Sequence, residues 1–79
     1  MIVPAQIRAA RALLDWRQID LAKASGVSDL TIINFEGGAT HPHASTLDAM
    51  RHALESAGVI FVEENGEGPG VRLKKGKQR

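Results

Sequence analysis

Apolar residues recur at intervals of three and four from Ile7 to Ala57, and beyond Gly58 they switch to strand-like clustering and alternation. Ile7, Ala10, Leu13 and Leu14 share one side of a first helix, which begins after Pro4, a residue suited to a first helical turn, and ends near Asp15 and Trp16. A second helix fits Gln18 to Ser25, closed by Gly26, which tolerates the left-handed backbone a tight turn requires. Ser28 then reads as an N-cap and Asp29 as a favourable first-turn acid, so a third helix is expected from Asp29 to about Glu36, stopped by Gly37 and Gly38. Pro42 turns "ATHPHA" into a loop, and Ser45 is expected to cap a fourth helix on which Leu47, Met50, Ala53, Leu54 and Ala57 keep helical spacing up to Gly58. "VIFVEE", "NGEGPG" and "VRLKK" read as strand, turn and strand, a β-hairpin between Val59 and Lys75.

The third helix has two unlike sides. At about 100° per residue, Ile32 and Phe35 fall together, while Leu30, Ile33, Asn34 and Gly37 fall opposite them. Leu21, Val27, Ile32 and Phe35 supply apolar pins between the second and third helices, and Ala22 is small enough for a close crossing. Ile32 and Phe35 therefore belong to the core, whereas Leu30 and Ile33 are left for another use.

Composition narrows what that use can be. A chain of 79 residues supports one small domain and leaves little room for an enclosed active site. Its net charge of +1 is weak for a nucleic-acid binder, so attraction must come from where the charges sit. Arg8, Arg11, Arg17, Lys23 and Arg51 are balanced by acids up to Glu55, but Arg72, Lys74, Lys75, Lys77 and Arg79 follow Gly70 with no acid among them. Without cysteine there is no disulfide, no thiol nucleophile and no cysteine-ligated zinc, and a cytoplasmic location is expected. The N-terminal stretch is interrupted by Pro4, Gln6, Arg8 and Arg11 and does not read as a signal peptide; no apolar run approaches the roughly 20 residues that cross a bilayer.

Gln18, Leu21, Ala22, Gly26, Val27, Ser28, Ile32 and Glu36 form the pattern Q-x-x-L-A-x-x-x-G-V-S-x-x-x-I-x-x-x-E. It resembles the helix-turn-helix of the Cro/C1, or xenobiotic-response-element, family of transcriptional regulators. The resemblance spans about Gln6 to Gly58 and implies a mainly α, four-helix lambda-repressor-like DNA-binding domain over residues 1–58. A β-hairpin extension over 59–75 and a basic tail over 76–79 would follow. It further implies that the third helix enters the major groove, with Asp29, Leu30, Thr31, Ile33 and Asn34 facing bases and Gln18 near a phosphate or a base. Asn34 can pair with adenine, while Leu30, Thr31 and Ile33 can pack on thymine methyls, so the implied site is rich in A·T pairs. Many family members carry arginine or glutamine where this chain has Asp29, Leu30 and Ile33, a departure that bears on both the affinity and the usual guanine contacts.

Phosphate contacts must then supply much of the affinity, with Arg8, Arg17, Gln18, Lys23, His41 and His43 as candidates. Arg11 has two readings: a phosphate contact, or, as the resemblance implies, an ion pair with Glu36. Transcriptional regulation, as a repressor on double-stranded DNA, is the implied role. The hairpin needs cover from the helical body or from a second subunit, and Val59, Ile60, Phe61 and Val62 are expected at a homodimer interface matching a palindromic operator. The competing reading is a protein-interaction module, an antiactivator or antitoxin-like adaptor that uses Leu30, Ile33 and the hairpin. His41, His43 and His52 do not make a metal site without further ligands, and no nucleophile and base are paired in the sequence. No metal, cofactor, small-molecule ligand or membrane partner is expected, and the basic tail either touches phosphates or stays solvated.

Overall fold

The computed structural model describes residues 2–76, and the tail residues Lys77 and Arg79 lie outside them. Four helices, α1 (Pro4–Leu14), α2 (Gln18–Ser25), α3 (Asp29–Glu36) and α4 (Ala44–Ser56), precede two strands, β1 (Val59–Val62) and β2 (Gly70–Leu73). Each junction has a local cause. Pro4 occupies the first turn of α1, and the Gln6 side chain accepts a hydrogen bond from the Val3 N–H at 2.9 Å, satisfying a donor that the helix start leaves unpaired. Asp15, left-handed at φ 59°, ends α1 while its own N–H bonds the Ala12 carbonyl. The tight turn after α2 is carried by Gly26 at φ 76°, and the Ser25 hydroxyl ties it by donating to the Leu21 carbonyl and accepting from the Val27 N–H. Ser28 caps α3, its hydroxyl oxygen accepting from the Thr31 N–H at 3.2 Å.

One cap departs from expectation. α4 begins at Ala44, with His43 as its capping residue, and Ser45 lies inside the first turn. The N–H groups of Thr46 and Leu47 both bond the His43 carbonyl, at 3.0 and 3.1 Å, so the first turn closes on that residue. Pro42 restricts the residue before it, not those after it, so nothing delays the helix to Ser45.

The core gathers Ile7 and Ala10 from α1, Leu21 from α2, Ile32 and Phe35 from α3, and Met50 and Leu54 from α4. Trp16, Ala22, Val27 and Leu47 are half-buried around it. The strands pair antiparallel, Val59 opposite Leu73 and Phe61 opposite Val71, with Ile60 opposite Arg72 on the other face. The first set faces inward: Val59, Phe61 and Leu73 are buried in the same core as the helices. Cover for the hairpin thus comes from α1 and α4, one of the two sources the sequence left open, and Val59, Ile60, Phe61 and Val62 divide between core and surface. Val59 and Phe61 are consumed within the protomer, Val62 is half-buried, and only Ile60, 42% exposed, is left outside.

Gln6 completes the attachment. Buried itself, its amide nitrogen donates to the Gly70 carbonyl at 3.0 Å and, more weakly, to the Val62 carbonyl at 3.4 Å, so one side chain of α1 ties down the turn end of the hairpin. Arg51 of α4 stacks over the Phe61 ring, 5.2 Å from its centroid, and reaches Glu55 and Glu63.

Candidate nucleic-acid interface

α3 is held from behind. Ile32 and Phe35 bury one side of it, and its last residue, Glu36, is drawn under α1 and α2. The two Glu36 carboxylate oxygens accept from Arg11 Nε and Nη2, each at 2.7 Å, and one of them also accepts from the Gln18 amide at 3.1 Å. A further Arg11 nitrogen bonds the Trp16 carbonyl at 3.0 Å. Arg11 therefore ties the end of α1, the turn into α2 and the end of α3 to one guanidinium, a planar fork suited to two-point carboxylate binding.

Two expected DNA contacts have other occupations here. Arg8, exposed on α1, donates one guanidinium N–H to the Glu36 backbone carbonyl, because the last carbonyls of α3 lack helical partners and form the negative end of its dipole. Gln18 gives one amide hydrogen to Glu36, leaving its carbonyl oxygen and second hydrogen for any outside partner.

The opposite side of α3 is open. Leu30 is 63% and Ile33 45% exposed, Asp29 is exposed, and Thr31 and Asn34 are half-buried at the flank. Thr31 and Asn34 line an open groove of about 360 Å³ together with His41, Pro42 and His43 of the α3–α4 loop. Thr40 and Thr46 line it too, and sequence reasoning missed both; the signal was a pair of hydroxyl residues flanking the two histidines. The fold thus brings together two of the expected base-facing residues and both expected loop histidines.

Arg17 and Lys23 are exposed on α2 and its start. Arg17 is engaged with Asp20, which accepts from the Arg17 N–H at 2.8 Å and from its guanidinium at 3.1 and 3.3 Å. The side-chain bond from Arg17, followed by its backbone bond, holds the Asp20 carboxyl below the usual carboxylate range. Arg72, Lys74 and Lys75 are exposed on and after β2. Among the described residues no three His, Cys, Asp or Glu side chains gather in a metal-binding group, and no helix is long and apolar enough to cross a membrane.

A helix-turn-helix family model matches residues 7–57. An uncharacterised HTH-type transcriptional regulator of Mycobacterium bovis is 44% identical over 50 residues, which cover 63% of this chain and 20% of that protein. Uncharacterised HTH-type transcriptional regulators from two strains of Mycobacterium tuberculosis match at the same identity and coverage. The chain thus spans about one fifth of the length of these relatives. With the family match running from α1 to the end of α4, and α2, the Gly26 turn and α3 in the arrangement described above, the chain belongs to the Cro/C1-type helix-turn-helix family.

Proposed function

We propose that this chain is a sequence-specific DNA-binding transcriptional regulator that lays α3 in the major groove. One observation carries the reading: α3 is fixed by Glu36, Ile32 and Phe35, while Leu30, Thr31, Ile33 and Asn34 are left on its accessible side. Asn34 can read adenine with paired hydrogen bonds, and Leu30 and Ile33 can pack on thymine methyls. Arg17, Lys23, His41 and His43 supply phosphate contacts around this helix, and Gln18 and Thr31 contribute polar contacts at its edges. Asp29 sits in the first turn of α3, where the helix dipole favours an acid. The regulator acts as a repressor, bound as a homodimer to a palindromic operator that sets two copies of α3 about one DNA turn apart.

A second reading draws on the exposure of Leu30 and Ile33, which would equally suit an apolar face of a partner protein. Selection of bound fragments from the source genome, followed by gel shifts at several salt concentrations, separates the two. A DNA reader binds the selected site with strong salt dependence; Asn34→Ala relaxes its preference for that site, and Arg17→Ala weakens binding to all sequences alike. No fragment bound at any salt concentration, with a protein captured by the parent chain and lost in Leu30→Glu, would sink the DNA reading.

A further inference from the structure

We infer that DNA binding by this chain is coupled to proton uptake at His41 and His43, whose imidazoles act as conditional phosphate contacts beside the reading helix. The inference rests on α3 lying in the DNA groove and adds how that contact is regulated. Permanent positive charge is scarce where it would be needed. α3 itself carries no lysine or arginine; Arg8 and Arg11 bond Glu36 and Arg51 bonds Glu55, while the fixed cations left for phosphate, Arg17 and Lys23, belong to α2 and its start and do not line the groove. On the α3–α4 side the groove is walled by Thr31 and Asn34, by Thr40 and by Thr46, all neutral. The only titratable side chains lining it are His41 and His43, both exposed.

The neighbouring elements place no fixed cation there. Ile2, Val3 and Pro4, before and at the start of α1, line an adjoining pocket together with His41, and none of them titrates through its side chain. α4 places Asp48 and Arg51 in an adjoining depression with Ala44 and Leu47, and α3 opens with Asp29; none of these three charged groups lines the groove. Histidine is the side chain whose charge changes between about pH 5 and 8. A phosphate placed beside an imidazole favours its charged form, so the complex holds more protons than the separated molecules. The sign follows. A complex that holds more protons than its separated parts is tightest at low pH and weakens as pH rises.

The experiment is a titration of the full chain with its selected DNA by fluorescence anisotropy at pH 5.5, 6.5, 7.5 and 8, with circular dichroism confirming the fold at each. Each phosphate-paired histidine whose proton affinity rises by one pH unit gives about a tenfold gain, so roughly 10- to 100-fold tighter binding is expected at pH 5.5 than at pH 8. The slope of log affinity against log salt should steepen by nearly two, at about 0.9 per added phosphate contact. In the double variant His41→Gln/His43→Gln the ratio of the two affinities falls to about one. In His41→Lys/His43→Lys the ratio is also near one, but binding at pH 8 is tighter than for the parent. His52→Gln, on the exposed surface of α4 outside the groove, keeps the parent profile and so controls for the third histidine. A flat profile in the parent, or a slope that persists in the double glutamine variant, overturns the inference and leaves DNA reading intact. No DNA binding by any of these proteins at any pH or salt overturns both.

Discussion

Glu36 ends α3 with its side chain only 4% exposed, and Arg11 closes on both of its oxygens at 2.7 Å. A carboxylate this deep has exchanged water for one guanidinium and the Gln18 amide, so its stability depends on keeping them. Breaking one side of such a pair leaves an uncompensated charge, and Arg11→Ala should cost about 3–5 kcal/mol, a large share of the roughly 5–15 kcal/mol that holds a domain folded. Exchanging both partners for apolar residues, as in Arg11→Met/Glu36→Leu, should recover most of that loss. Urea denaturation followed by circular dichroism checks both; Arg11→Ala as stable as the parent would contradict the account.

The polar fastening of the hairpin to α1 runs through Gln6. Gln6→Leu keeps the bulk but removes the donor to the Gly70 and Val62 carbonyls and the acceptor for the Val3 N–H. We expect a loss of about 1–3 kcal/mol, the usual cost of stranding buried polar groups. Hydrogen exchange locates it: amides of β1 and β2, whose carbonyls Gln6 holds, should exchange faster relative to those of α2 and α3.

Asp20 makes a pH-dependent contribution at the start of α2. Because Arg17 lowers its proton affinity in the folded chain, its stabilisation is present above the unfolded carboxyl range and is lost as pH falls through the folded one, that is, below roughly pH 4. The pair lies at the surface, with the Arg17 side chain 75% exposed, so the effect is small. Asp20→Asn should flatten part of the acid limb of a melting-temperature profile taken between about pH 2.5 and 6 and leave the profile above it nearly level. An unchanged acid limb would show that the bond does not persist in solution.

Ile60 tests self-association without endangering the fold. It is 42% exposed on the outer face of β1, so Ile60→Lys should leave the melting temperature within a few degrees of the parent. If the hairpin joins two copies, sedimentation at micromolar concentration should show the parent as a dimer and the variant as a monomer. Phe61→Ala cannot serve in its place, because Phe61 belongs to the protomer core.

Local signals were legible residue by residue. Pro4, Gly26, Ser28 and the Gly37–Gly38 pair mark boundaries because each acts on the backbone within a turn of itself, and α2 and α3 run where those residues place them. The burial of Ile32 and Phe35 against the exposure of Leu30 and Ile33 also follows from spacing alone, since a helix of known period has only one way to divide its sides. The start of α4 was misplaced because Ser45 is a good cap by type, while His43 acts as one through its carbonyl, which every residue has.

The sequence by itself therefore determined the elements, the turn between α2 and α3, and which side of α3 turns inward. Only the tertiary structure decided where the hairpin goes and what the polar side chains do. Val59 and Phe61 can pack on a partner or on their own helices with the same pattern, and α1 and α4 claim them. Arg8 and Gln18 can serve phosphate or a neighbouring helix, and the end of α3 claims both. Periodicity records which side of an element is apolar; it holds no record of what comes to lie against that side, because those contacts join residues far apart in the chain.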